Sequence, residues 1–312
     1  MRVKQSLSDF IVKELISEGF IKPKGEYEVY LLKKKGVDTL SVIRELSKRF
    51  GKIGYAGLKD KHGLTEQYVT MKKGAELKTS NYELKKVGYS DKQLRRGDNT
   101  GNEFIIKVEL SPDEMGLMKK NEDRVRGGFK NYYDTQRTGH ELIHTSMINY
   151  LIKGDYKTAL LRYYIHKSKY AKPFAKKAYK ECFKQWGDWV KCYNSLKGKV
   201  SELTLRPLKE LMKSGNLIKA IKSIPSDELE LMIAGYQALL FNEMIKEEQE
   251  GVVELPVISV PELRLKPRKG RRQVIVKPID LKIKYEGNEA VLSFKLPRGA
   301  YATVLVKTLL SQ

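Results

Sequence analysis

The residue types best suited to chemistry gather in one short segment. Gly54 to Gln67 reads GYAGLKDKHGLTEQ, and within it Asp60 stands between Lys59 and Lys61 on a glycine-flanked turn. Neighbouring positive charge keeps such a carboxylate ionised, the state that a nucleophile or a base requires. A Lys-Asp-Lys turn can equally be plain solvated surface, so the segment alone leaves both readings open. A second string, His140-Glu141-Leu142-Ile143-His144, spells HExxH, which on a helix sets two imidazoles on one face as zinc ligands. The residues that follow, TSMINYLIKGD, supply no third ligand, so a structural helix and no metal is the expectation. Cys182 and Cys192 are the only cysteines, too few for a disulfide scaffold or a cysteine metal site, and are expected to be inert thiols. Lys266 to Arg272, KPRKGRR, is a dense basic loop suited to phosphate.

The elements around these residues are mixed. YEVYLL (27–32) has strand character, and Asp38 with Thr39 caps a helix running to Phe50, stopped by Gly51. IGYAG and QYVTMKK flank the Asp60 turn as short strands, EFIIKVEL (103–110) is another, and Pro112 opens a helix. From His140 to about Asn242 the pattern is helical. Its last helix starts after Pro225-Ser226, with Leu229, Met232, Ile233, Tyr236 and Leu240 on one face, and Gly251 ends it. Strands return at VVELPVISV, RQVIV, DLKIKY and AVLSFKL, and a helix from about Ala300 to Leu310 closes the chain. The expected fold class is therefore α/β in the α+β sense, a mixed-sheet core built from both ends of the chain with a helical lobe between.

The chain has 312 residues, with 60 Lys plus Arg against 38 Asp plus Glu, a formal charge of +22. Such an excess opposes compaction unless a polyanion offsets it, and nucleic acid is the default polyanion. A thermophile surface would raise Glu along with Lys, and here the acids lag. Hydrophobic residues at 41% exclude disorder by composition. No apolar run reaches the roughly 18 residues of a membrane helix, and MRVKQSLSDF has no apolar signal core, so a cytoplasmic protein without membrane attachment is expected.

The Asp60 segment resembles GxKDxxAxTxQ, a signature of the TruD family of tRNA pseudouridine synthases, and further segments match that family in order. VKQSLSDFIVKE (3–14) resembles its LKxxPxDFxVxE opening and NYYDTQRTG (131–139) its NYFGxQRFG. GYQALLFNEM (235–244) resembles AYQSxLFNxxL, KGRRQVIVKP (269–278) an archaeal GxRRxxxxxP, and LPRGAYATVLVKTL (296–309) the LPxGxFATxxxREL ending. The resemblance implies a pseudouridine-synthase-like, largely antiparallel mixed sheet flanked by helices. Residues 1–139 and 236–312 would form the catalytic core, 140–235 a helical lobe, and 246–268 the shortened remnant of an insertion domain.

It also implies chemistry. Uridine becomes pseudouridine when the N1–C1′ bond breaks and the uracil rejoins through C5, with no redox step and no cofactor. Asp60 falls at the position that attacks C1′ or assists glycal formation, Lys4 and Lys307 at supporting basic positions, and Phe10, Asn131, Tyr133 and Tyr301 around a flipped uridine. Lys59, Lys61, Arg268, Lys269, Arg271 and Arg272 would meet phosphates. The partner is tRNA, with uridine 13 the family's usual target, and no obligate protein partner is inferred. The alternative is a catalytically weak homologue that binds or folds tRNA. The helical lobe, through Lys167, Lys169, Lys172, Tyr163, Tyr164 and Tyr170, is expected to replace the lost insertion in gripping RNA. Departures include Ser8 for Pro, Gly63-Leu64 for Ala-Val, Lys307-Thr308 for Arg-Glu, Thr138 for Phe and Asp134 for Gly, where Asp would tolerate a left-handed backbone.

Overall fold

The computed structural model describes residues 2–3, 6–135, 143–248, 250–263 and 269–312. Along the chain the strands are β1 (Arg2–Val3), β2 (Phe10–Ile16), β3 (Tyr27–Lys35), β4 (Gly54–Tyr55), β5 (Leu64–Met71), β6 (Leu77–Lys78), β7 (Tyr82–Ser90), β8 (Asn99–Glu109), β9 (Phe129–Lys130), β10 (Val252–Glu254), β11 (Arg271–Gln273), β12 (Ile275–Val276), β13 (Ile279–Glu286) and β14 (Glu289–Pro297). The described helices are α1 (Thr39–Phe50), α2 (Pro112–Gly127), α3 (Ile143–Ile152), α4 (Tyr156–Lys169), α5 (Pro173–Lys184), α6 (Trp189–Leu196), α7 (Glu202–Ser214), α8 (Leu217–Lys222), α9 (Ser226–Met244) and α10 (Ala302–Leu309). They fall into two compact units, one of residues 1–131 with 275–312 and one of residues 132–274. Helix α9, whose residues 226–235 are expected in the lobe and 236–244 in the core, lies in the second. Among the described residues no helix is long and apolar enough to cross a membrane.

The first unit is built on a ten-stranded sheet ordered β13-β14-β8-β2-β5-β3-β7-β6, with β1 added to β8 and β4 to β5. Its pairings are antiparallel except β2 with β5, where Ile11, Val12 and Lys13 lie beside Leu64, Thr65 and Glu66. Period-two alternation sets the faces. Ala290, Leu292, Phe294 and Leu296 of β14 are buried, and so are Phe10, Val12 and Glu14 of β2 and Tyr30, Leu32 and Lys34 of β3. Helix α1 begins where the Asp38 carboxylate accepts from Ser41 N at 2.9 Å and ends at Gly51, whose φ of 73° suits a residue without a Cβ. Its Val42, Ile43 and Leu46 pack on Leu32, Val69, Met71 and Leu84. Helix α2 opens with a Ser111–Glu114 capping box and Pro112. Asn121 then donates to the carbonyls of Leu309 and Ser311, tying α2 to the end of α10.

The second unit is helical. Tyr163, Tyr164, Cys182 and Cys192 sit in its apolar core with Leu160, Leu205 and Leu208. The expectation that Tyr163 and Tyr164 face RNA is thereby overturned: α4 needs both rings to bury its inner face, and Tyr164 spends its hydroxyl on the Thr204 carbonyl at 2.8 Å. Lys167 is turned to Glu228 as an ion pair. Both cysteines are free and buried. The long strand expected at 252–260 shrinks to β10, since Pro256 has no N–H to offer a ladder and its carbonyl accepts from Gln237.

Candidate active site

The Asp60 turn spans residues 57–63 between β4 and β5, and buried polar side chains hold it from below. Lys34, 2% exposed, reaches from β3 and donates its ammonium to the carbonyls of Asp60 (2.8 Å), Val37 (3.0 Å) and Lys59 (3.3 Å). Thr39, first residue of α1, accepts from Lys59 N at 3.0 Å and donates to Gln67 Oε1 at 3.1 Å. Gln67 in turn donates to the Gly57 carbonyl at 3.2 Å. Lys59 swings under the turn to Glu14 at 2.5 Å, both side chains nearly solvent-free at 6% and 0%, and the second Glu14 oxygen accepts from Tyr68 N. The turn is therefore fixed at the backbone of residues 57, 59 and 60 by groups on β3, β5 and α1, and through the Lys59 side chain by Glu14 on β2. Asp60 itself is half-buried, and its Oδ1 accepts from His62 N at 2.9 Å, which closes a local Asx turn.

Burial pushes the Lys34 ammonium down to about 8. Asp60 and Asp38 pull it the other way, and Lys59 adds to the lowering. Lys34 was missed as a site residue because it sits in the run Lys33-Lys34-Lys35, which reads as a solvated face. The signal lay in the strand period: Tyr30, Leu32 and Lys34 share one side of β3, and that side faces the core.

The other expected site residues divide. Phe10 stands beside the Asp60 turn: a Cβ at Gly63 would lie 2.6 Å from the Phe10 carbonyl oxygen, which accounts for glycine where the family pattern has alanine. Its ring, 6% exposed, packs at 6.3 Å from Phe104, so Phe10 is also part of the core. Asn131 is 5% exposed and follows β9, which β12 holds in place. Tyr301 is half-buried at the N-cap of α10, and Lys307 is exposed in its last turn, six residues or roughly 9 Å further along the helix. Lys61 and Lys269 are exposed. Lys59 does not meet the expectation of a phosphate contact, because its charge is buried against Glu14. Lys4, Arg268, His140 and Glu141 lie outside the described residues, as does the His144 side chain.

In the helical unit, three of the matched segments converge. Asn242 of α9 clamps Tyr133, accepting from its N–H at 2.7 Å and donating to its carbonyl at 2.9 Å. Phe241 meets the Tyr133 ring edge-on at 5.5 Å, and the Arg272 guanidinium lies 4.1 Å over that ring while donating to the Tyr132 carbonyl. Arg272 thus covers a face of Tyr133 that was expected for a base, and Arg271, expected on phosphate, pairs with Glu254 at 3.1 Å while staying exposed. Asp134 needs no left-handed backbone, since Asp280 is the one non-glycine residue with positive φ among those described.

A mixed, largely antiparallel sheet flanked by helices also describes the "Putative tRNA pseudouridine synthase D (TruD) from Methanosarcina mazei", whose crystal structure superposes with a TM-score of 0.78 at 21% identity over 99% of this chain and 93% of that one. The two share a fold. A family profile, "tRNA pseudouridine synthase D (TruD)", matches residues 1–260, and the chain belongs to that family of tRNA-acting isomerases. It is 33% identical over 263 residues to "Probable tRNA pseudouridine synthase D 1" of Methanococcus maripaludis, covering 81% of this chain and 67% of the relative. It is 29% identical to "tRNA pseudouridine synthase D" of Aquifex aeolicus, covering 99% and 98%. That second alignment runs over 387 positions against 312 residues here, so at least 75 positions of the relative have no counterpart in this chain.

Proposed function

We propose that this chain isomerises a uridine of tRNA, uridine 13 by family habit, to pseudouridine, with Asp60 acting at the ribose C1′. The observation that carries the reading is the clamp on residues 57–60: a carboxylate that must meet one carbon atom is mounted on a turn held from four elements. Such preorganisation matters because a misplacement of about 1 Å can cost on the order of a hundredfold in rate. The N1–C1′ bond breaks, the uracil turns, C5 bonds to C1′, the C5 proton leaves and N1 gains one. The isomerisation balances without a redox partner.

The target base must first leave its stack, at a cost of a few kcal/mol. Asn131 has both donors and an acceptor for a uracil edge, and Tyr301 offers a half-buried aromatic face at the start of α10. Phe10 serves this site by backing Gly63, while Tyr133 is held by Asn242 within the helical unit. Lys307, exposed in the last turn of α10, meets the RNA backbone. In this reading the family's insertion after α9 is reduced here to residues 246–268, which suits a chain with fewer positions than the Aquifex aeolicus protein. The test is to incubate unmodified tRNA transcripts with the protein and map carbodiimide-blocked stops in reverse transcription. A new stop at position 13 supports the reading, a stop elsewhere reassigns the target, and binding without any stop favours a tRNA-binding homologue.

A further inference from the structure

The chain has 29 aromatic residues, 2 Trp, 18 Tyr and 9 Phe. All of them lie among the described residues, and only two are exposed: Tyr170 at 73% and Phe174 at 58%. They stand four residues apart. Tyr170 is the C-cap of α4, and Phe174 is in the first turn of α5. Exposed rings lose the burial that would favour them, so two together mark a surface that meets something. Their neighbours say what. From His166 to Lys180 the sequence HKSKYAKPFAKKAYK carries six lysines and no acid. Lys167 is held by Glu228, while Lys169, Lys172, Lys176, Lys177 and Lys180 are exposed. The His166 ring meets Tyr170 at 5.1 Å and steadies it from one side.

We infer that the α4–α5 turn is an RNA-binding surface, on which Tyr170 and Phe174 stack unpaired bases while the five exposed lysines hold the adjoining phosphates. A protein interface is the poorer fit, because lysine is depleted at interface cores. A duplex would satisfy the lysines but leave the rings idle, whereas single-stranded RNA uses both, since every base has a face to stack. The inference deepens the tRNA reading and rests on it. It also gives the helical unit a direct part in gripping RNA through residues other than the buried Tyr163 and Tyr164.

The test uses the full chain with three RNAs: an unmodified tRNA transcript, a twelve-nucleotide oligouridylate and a blunt duplex. Stacking is worth about 1–3 kcal/mol per base, so Tyr170→Ala with Phe174→Ala, removing two platforms, should weaken oligouridylate binding at least about 30-fold. Duplex binding should hold, and Tyr170→Phe should restore affinity. Lys172→Gln, Lys176→Gln and Lys177→Gln together should flatten the salt dependence for single strands by about 2 in slope. Both rings are exposed, so thermal melting should not move. If wild type binds and converts tRNA while the double alanine variant binds every RNA equally well, the inference fails and the tRNA reading stands. If wild type neither binds nor converts tRNA, the reading beneath it fails. Loss of self-association, or of binding to anionic phospholipid vesicles, with unchanged RNA binding would also overturn it.

Discussion

Replacing Lys34 by Met keeps the length of the side chain and removes its donors. The variant leaves the carbonyls of Val37, Lys59 and Asp60 without the ammonium that now reaches them at 2.8–3.3 Å. Hydrogen bonds to a charged group contribute about 1.5–3 kcal/mol each, and the 3.3 Å one less, so about 4–5 kcal/mol of local stabilisation disappears. Against this, the buried charge is itself unfavourable: a fall from 10.5 to about 8 corresponds to about 3 kcal/mol. The net change in global stability is then about 1–2 kcal/mol, a Tm drop of roughly 1–3 °C for a chain of this length. The turn that presents Asp60 loses its anchor, so turnover of tRNA should fall about 100-fold or more. The assay is product formation on a tRNA transcript beside a thermal melt. The pH profile adds a second reading. Wild-type activity should decline on the alkaline side with an apparent pKa near 8 as Lys34 loses its proton, and the Met variant should lack that limb. Between pH 8 and 10.5 the unfolded chain holds a proton that folded Lys34 has released, so this residue makes stability rise with pH across that window. A Met variant that keeps wild-type turnover, or a wild-type profile flat to pH 9.5, would refute the clamp.

Two further perturbations follow from the same geometry. Gly63→Ala forces a Cβ to 2.6 Å from the Phe10 carbonyl, so it should lower stability by about 1–3 kcal/mol and turnover at least about tenfold; wild-type values for both would show the turn to be slack. Lys59→Met or Glu14→Gln alone leaves a buried charge or a buried polar end unmatched and should destabilise by about 3–5 kcal/mol in urea titrations, while the double variant should lose well under the sum; additive losses would deny the coupling.

Much of this architecture is legible in the sequence wherever the signal is local. Asp38 and Gly51 bracket α1 because capping and left-handed termination are properties of single residues. The alternation of Ala290, Leu292, Phe294 and Leu296 likewise announces β14. What escapes is non-local. The parallel pairing of β2 with β5 depends on contacts across some fifty residues and leaves no mark in either strand. The turn at Asp60 is readable as a turn, but its support comes from Lys34, Thr39 and Glu14, whose roles appear only once three strands and a helix are assembled. Lys59 and Arg272 were read as RNA contacts because a cation's partner cannot be told from its type; one partner is a carboxylate beneath the turn, the other an aromatic ring. Tyr163 and Tyr164 misled for the same reason, since an inward and an outward tyrosine look alike in sequence.

The most direct test of the central claim compares wild type with Asp60→Asn on a tRNA transcript tritiated at uracil C5. The substitution is suited to the structure, because an asparagine Oδ1 can still accept from His62 N and keep the turn closed. Tritium release by wild type, with none from the variant while it still binds tRNA and melts as wild type does, is the result expected. Equal release by the two proteins would remove Asp60 from the chemistry and the account with it.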